Sequence, residues 1–472
     1  MNKLVNTLRE SMELAGLKDG MSISFHHHLR NGDYVLNMVL EEAARMGLRD
    51  LTIQATSLFD IHMPLAGHIE SGLVSGIETN YISSGLGRIL TKGILPRPIT
   101  FRTHGGRPAA IESGRVRIDA AFIAAPAADC QGNINGTDGP AACGSLGYAY
   151  ADARNAGRVI AVTGCLRPYP LTPASIDESL VDYVVQVDSI GDPQGIVSGT
   201  TKITRDPVGL CMAGYAAQVI EHSGLLTDGF SFQTGAGGAS LAVTEYLKPV
   251  IKQKGVTGSF GLGGITGYLV DMLNEGYFEK LLDVQCFDLR AVESIRRDPR
   301  HQEISAARYA SPLAKSAAVN SLDIVILGAT EIDVNFNVNV HTDSKGLIMG
   351  GSGGHSDTAA GAKLAIIIAP LFRSRLPVVV DRVLTLSTPG KTVDVLVTQR
   401  GIAVNPKRED LKMRLKEARL NKARLPVYEI DELKHMAEKI TGKPAALKRG
   451  EQIVADIEYR DGSVIDHIYA LS

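Results

Sequence analysis

The chain has 472 residues, enough for two or three domains with full cores. Its 44% apolar and 21% charged residues exclude a disordered, fibrous or membrane-embedded protein. With 49 Lys plus Arg against 51 Asp plus Glu, the net charge of −2 offers no basic excess for nucleic acid.

The first fifteen residues read as an amphipathic helix through Leu4, Leu8, Met12 and Leu14, ending at Gly16. Lys3, Arg9, Glu10 and Glu13 interrupt it, so it is not an export signal. Strand-like runs follow at residues 21–25, 51–54, 120–124, 159–162 and 183–187. Near Pro207 the opening pattern restarts: a helix through Met212, Ala216, Val219 and Ile220, then a D-G turn, then a strand at 230–233. Gly20 and Gly229 hold matching places in the two copies. Further strands are expected at 256–260, 284–287, 324–327, 364–369, 378–380 and 393–397. Residues 331–340 alternate strictly, with Asp333, Asn335, Asn337 and Asn339 on one face, and predict one strand presenting amides to a polar partner. A charged helix at 407–424 and a hairpin turn at 460–463 read as scaffold. The expected fold is α/β: two similar tandem domains, 1–205 and 206–472, with mostly parallel sheets covered by helices. The runs 120–128 and 364–372 are too short to span a bilayer, which takes about 18 residues. Five cysteines without C-x-x-C spacing indicate neither disulfides nor zinc and fit a reducing, cytoplasmic setting.

Three glycine clusters fall where strands are expected to pass into helices: Gly235, Gly237 and Gly238; Gly261, Gly263, Gly264 and Gly267; and Gly350, Gly351, Gly353 and Gly354 before His355. At such turns exposed amides receive an anion, or the glycines only make tight turns. The spacing Gly261, Gly263, Gly267 fits a dinucleotide fingerprint poorly, because Asp283 precedes its strand instead of ending it. His26, His27 and His28 follow a strand and precede Arg30; an anion site, a metal site and a structural role are all open to them. Arg88, Arg97, Arg102, His104 and Arg107 form a second basic stretch, suited to a polycarboxylate or to solvent. His355, Ser356 and Asp357 are adjacent, whereas a hydrolytic triad converges from separate segments, and Asp357 reads as a helix N-cap.

The paired halves resemble the CoA-transferase superfamily, and within it the citrate lyase alpha chains. The segments that carry the resemblance are 21–30, 231–242, 261–267, 282–287, 335–340, 350–357 and 393–406. It implies exchange of acetyl for citryl on the thiol of an acyl carrier prosthetic group derived from dephospho-CoA, or on CoA itself. It also implies no permanently bound cofactor and no metal. The implied partners are an acyl carrier (gamma) subunit and a citryl lyase (beta) subunit, with citrate and an acetyl thioester as substrates. Many CoA-transferases carry a nucleophilic glutamate in the segment that here reads 257–267, which has no acid before Asp271. The resemblance therefore implies a mixed acetyl-citric anhydride. Gly237 and Gly238 are expected to hold the oxyanion. His26, His27, His28, Arg30, Arg102, His104 and Arg107 are expected to hold citrate. Gly235, Gly261, Gly263, Gly264, Gly353, Gly354 and His355 are expected to border the thiol arm. The rivals are a free acyl-CoA:carboxylate transferase or acetyl-CoA hydrolase, and a ligand-sensing regulator, for which no basic DNA-binding domain is present.

Overall fold

A computed structural model describes residues 2–197, 201–420, 425–445, 447 and 449–471. Two mostly parallel sheets form the scaffold. The central seven strands of the first, in spatial order, begin at residues 183, 158, 120, 22, 51, 74 and 99. Seven neighbouring strands of the second begin at 395, 364, 324, 231, 260, 281 and 301. The two series match strand for strand in chain order, so the echo visible around Gly20 and Gly229 extends through both sheets. Both glycines take a left-handed conformation, φ +78° and +80°, and turn the chain into the first strand of each series. The same pin then holds that strand: Ser22 N–H donates to Asp119 (2.9 Å), and Ser231 N–H donates to Asp323 (2.8 Å).

Each half adds a small three-stranded sheet built around one aspartate. In the first, Asp129 accepts the N–H groups of Gln131, Gly132 and Asn133 at 2.9, 2.9 and 3.1 Å. In the second, Asp333 accepts those of Asn335 and Asn337 at 2.9 and 3.0 Å. This turn breaks the strand expected over 331–340 into Glu331–Asp333 and Val338–Asn339, paired antiparallel, with Phe336 at φ +63° between them. The Asn337 side chain also donates to Asp333 (3.1 Å) and that of Asn339 to Glu331 (3.1 Å), so these two amides are used within the turn, where a carboxylate offering several acceptor sites competes with the strand ladder.

Other expectations shift in smaller ways. Leu4 lies in a two-residue strand, Leu4–Val5, and the helix Leu8–Leu14 begins after Thr7, whose side chain accepts the Glu10 N–H. The charged helix spans Glu409–Leu420, and its expected end at 421–424 lies outside the described residues. The final hairpin, Arg449–Glu458 and Val464–Leu471, leaves the second half and pairs with Ile99–Phe101 at the edge of the first sheet. That edge would otherwise present an open ladder. Arg102 fixes the hairpin by donating to Glu458 at 3.1 and 3.3 Å and to Glu78.

The halves meet with backbone against backbone. A Cβ on Gly87 would fall 2.1 Å from the Ile348 carbonyl oxygen, and one on Gly105 would fall 2.1 Å from that of Ala310. On Gly351 it would meet the Asn80 oxygen at 2.1 Å. Many of the abundant glycines therefore serve approach between halves and not turns alone.

Within the hairpin, Ile457 is 1% exposed and Val464 is 50% exposed. Ile457→Ala is expected to lower stability by about 2–5 kcal/mol. Val464→Ala should stay within about 0.5 kcal/mol. Urea unfolding of the two variants checks both figures.

Candidate active site

In both sheets the chain leaves its first strand in one direction and returns to the other side of it, so the switch point lies at the carboxyl ends of Ser22–Phe25 and Ser231–Thr234. Ligands bind at such points. His26–His28 follow the first of these strands, and the Gly235 loop follows the second, as the sequence pairing suggested.

All three histidines are buried. His27 is fixed by Thr56, whose hydroxyl lies 3.0 Å from its backbone N and 2.6 Å from Nδ1. Around the His27 ring stand Tyr148, with centroids 4.7 Å apart, and His104 at 5.9 Å. The His26 ring lies 3.2 Å from Asp152 but off the hydrogen-bond direction. Arg107 grips Asp152 through two donors at 2.6 and 2.7 Å. Both nitrogens of His28 are buried and unpartnered.

Burial lowers the pKa of His27 and of His28 well below the usual value, and that of His104 to about 3. Neighbouring His104 adds to the effect on His27, His26 to that on His28, and Arg107 to that on His104. These three rings are neutral at neutral pH and supply N–H donors instead of charge. Arg30 supplies the charge. It takes φ +52°, lays its guanidinium over Phe287 (4.8 Å) and Phe59 (5.5 Å), and donates weakly to the Ile196 carbonyl at 3.4 Å. Burial lowers its pKa, yet a guanidinium stays charged. Among the described residues no carboxylate pairs with it. Arg102 and Arg107, expected as citrate ligands, are instead engaged by Glu78, Glu458 and Asp152.

The glycine clusters separate into different roles. Gly237 precedes the helix Gly238–Lys254, and among the described residues no acceptor takes the N–H of Gly237 or Gly238. Beside them opens a cleft of about 670 Å³ lined by Lys202, Ile203, Arg205 and Tyr268. Gly261, Gly263 and Gly264, expected in a loop, lie inside the strand Phe260–Ile265. Their missing side chains make room for neighbours: a Cβ would meet Leu281 at 2.7 Å, Gln233 at 2.8 Å and Phe287 at 2.3 Å respectively. The following helix start is closed, since Gly267 N–H donates to Asp288 at 2.7 Å. Gly353 accepts the His104 N–H at 2.8 Å, and Gly354 faces the Tyr309 hydroxyl, where a Cβ would lie 2.4 Å away.

His355 holds the Thr388 hydroxyl at 2.8 Å and the Gly328 carbonyl at 2.9 Å, so both ring nitrogens serve the scaffold. Asp357 is not the N-cap, which is Gly354. It accepts Thr103 Oγ1 (2.9 Å) and Gly105 N–H (2.8 Å) across the interface, with Arg460 at 3.6 Å. Burial pushes its carboxyl up to about 6 against these donors.

The site also contains residues that the sequence reading passed over: Thr56, Tyr148, Asp152, Gln233, Gln285 and Tyr309. Gln233 Nε2 donates to Tyr309 Oη at 2.9 Å, and Gln285 Nε2 donates to the His27 carbonyl at 2.7 Å. Both glutamines sit one residue before the end of a buried strand, a position the sequence shows only once the strands are known. Tyr148 sits in a segment without regular structure and left no signal. No helix among the described residues is long and apolar enough to cross a membrane.

Comparison with known proteins identifies the family. The family model described as citrate lyase, alpha subunit, matches residues 1–471. The citrate lyase alpha chain of Klebsiella pneumoniae is 49% identical over 466 residues, 99% of this chain and 91% of that one. The Escherichia coli K12 protein of the same name is 47% identical over 467 residues, 99% and 91% of the two chains. A crystal structure from Streptococcus mutans, described as the alpha subunit of citrate lyase in complex with citrate, superposes with TM-score 0.97. It is 48% identical, covering 100% of this chain and 92% of that one. A Pseudomonas malonate decarboxylase structure shares the fold alone, at TM-score 0.68 and 18% identity, over 94% and 84% of the chains.

Asp152 is the test of the site's electrostatics. Burial raises its pKa, but Arg107 and then His26 outweigh that and hold it well below 3.8. A depressed acid contributes stability that is complete above its unfolded value and is lost as pH falls through the folded value. Asp152→Asn is expected to cost about 3–5 kcal/mol by leaving Arg107 buried without its counter-charge. In urea unfolding the gap between wild type and variant should hold from neutral pH to about pH 5 and narrow below about pH 4.

Proposed function

Because the chain belongs to the citrate lyase alpha subunit family and is a transferase acting on citrate, we infer that the substrate's own carboxylate is the nucleophile. A citrate carboxylate oxygen attacks the thioester carbonyl of the acetyl group, the C–S bond breaks, and the thiolate leaves a mixed acetyl-citric anhydride. The thiolate then attacks the citryl carbonyl, forming a new C–S bond and releasing acetate. No proton changes hands, since carboxylates are already ionised at neutral pH.

One observation carries this reading: the strand Phe260–Ile265 holds no acid, and the space beside its glycines is filled by other side chains. Gln233 fills the space above Gly263, and the Phe287 ring fills that above Gly264. Of the carboxylates nearby, Asp152 is engaged by Arg107 and Asp357 by Thr103 and Gly105, while Asp283, opposite Gly263, is held through one oxygen by His301 at 2.9 Å. Arg30 and the N–H groups of the neutral histidines suit the citrate carboxylates. The amides of Gly237 and Gly238 suit the oxyanion, where one well-placed donor is worth about 3–4 kcal/mol. Lys202 and Arg205 at the adjacent cleft suit the phosphates of a CoA-type thiol, which is a substrate here. We assign that thiol to a dephospho-CoA-derived group on a separate acyl carrier (gamma) subunit, with a lyase (beta) subunit consuming the citryl thioester.

With acetyl-CoA and citrate, mass spectrometry is expected to show citryl-CoA forming while the intact protein keeps its unmodified mass throughout turnover. A protein thioester in that experiment would sink the direct-attack mechanism. Arg30→Leu should raise KM for citrate by about tenfold to a hundredfold, the loss of one charged hydrogen-bonding partner, as steady-state kinetics will read.

A further inference from the structure

Two carboxamides flank the glycine strand. Gln233 is the next-to-last residue of the neighbouring strand on one side and Gln285 that of the strand on the other. They are 7% and 1% exposed, and the Oε1 atom of each is buried with no donor. An amide oxygen left so is costly unless a ligand supplies the hydrogen.

The two differ in how firmly that oxygen is assigned. Gln233 meets a tyrosine hydroxyl, which both donates and accepts, so its amide satisfies that partner in either orientation. Gln285 meets the His27 carbonyl, which only accepts. Its NH₂ must face His27, and its oxygen is therefore the orphan. That oxygen sits on a side chain tied to the histidine run, two residues before the Phe287 ring that carries the Arg30 guanidinium.

Ionised citrate offers a protein carboxylate oxygens, which only accept, and a single hydrogen-bond donor, the tertiary hydroxyl. We propose that Gln285 is a specificity-determining residue whose Oε1 accepts that hydroxyl while Arg30 and the histidines hold the carboxylates. This rests on the reading of the site as the citrate pocket. A site built to hydrogen-bond a substrate hydroxyl rejects the analogue without it, because the protein group is then left unpaired. Gln285 thereby distinguishes a hydroxy-tricarboxylate from its deoxy counterpart.

The test compares citrate with propane-1,2,3-tricarboxylate, the same acid without the hydroxyl, using acetyl-CoA and the full chain. Wild type is expected to favour citrate in kcat/KM by more than about tenfold. Gln285→Met should bring that ratio to within about threefold of unity, mainly through slower use of citrate. A merely structural role slows both acids alike and leaves the ratio unchanged, and that outcome overturns the proposal. So does a wild type that does not distinguish the acids. Because the ratio is internal to each preparation, partial misfolding of the variant cancels. Ligand-induced shifts in unfolding temperature give a second measure that needs no turnover. If wild type transfers nothing to citrate, yet is stabilised by citrate more than by the deoxy acid and Gln285→Met loses that difference, the transfer mechanism falls and the role of Gln285 stands. Equal shifts from both acids in wild type overturn the role of Gln285 independently of the mechanism.

Discussion

Everything at the site depends on two halves approaching until their backbones touch. Gly87 against Ile348, Gly105 against Ala310 and Gly351 against Asn80 leave no space for a single methyl group. Such contacts act as fixed stops, because carbonyl oxygens do not yield as the ends of flexible side chains do. His104 is held in this way: its N–H is given to Gly353 of the other half, and the next residue is pinned by Asp357. The rings of His27, His104 and Tyr148 then stack in a space whose walls belong to both sheets.

Charge is distributed by the same logic. The pocket we propose for a trianion could be lined with cations, yet Arg102 and Arg107 are neutralised. Arg107 closes on Asp152 and Arg102 on Glu458, each holding segments together. Burial also keeps His27, His28 and His104 uncharged. Around the histidine run, the guanidinium that no carboxylate pairs among the described residues is that of Arg30, on aromatic faces amid neutral donors. The direct attack we propose, by one carboxylate on a thioester, favours that economy: strong pairing of every substrate oxygen would stabilise the ground state as much as the transition state.

Much of this was readable beforehand. The twofold repeat followed from matched turns at Gly20 and Gly229, and the position of His26–His28 followed from a strand ending in polar residues. The misreadings have physical origins. Gly263 and Gly264 look like a loop because their reason for being there, the Gln233 and Phe287 side chains, comes from the neighbouring strand on one side and from just past the strand on the other. The 331–340 segment has a strand's period, but Asp333 takes its amides into a turn. Nothing local in residues 449–471 says that they cross to the first sheet, since the edge they cover is set by strands far away in sequence. Tyr148 depends wholly on tertiary placement.

That crossing bears on synthesis. The edge at Ile99–Phe101 emerges early, while the hairpin that pairs with it follows roughly 350 residues later, so at about 5–20 residues per second the edge stays open for roughly 20–70 seconds. For that interval the nascent first half carries an unpaired parallel edge and a guanidinium, Arg102, without its later partner Glu458. A neighbouring ribosome's product offers the same hairpin, which makes exchange of C-terminal segments between chains the characteristic misassembly of this topology.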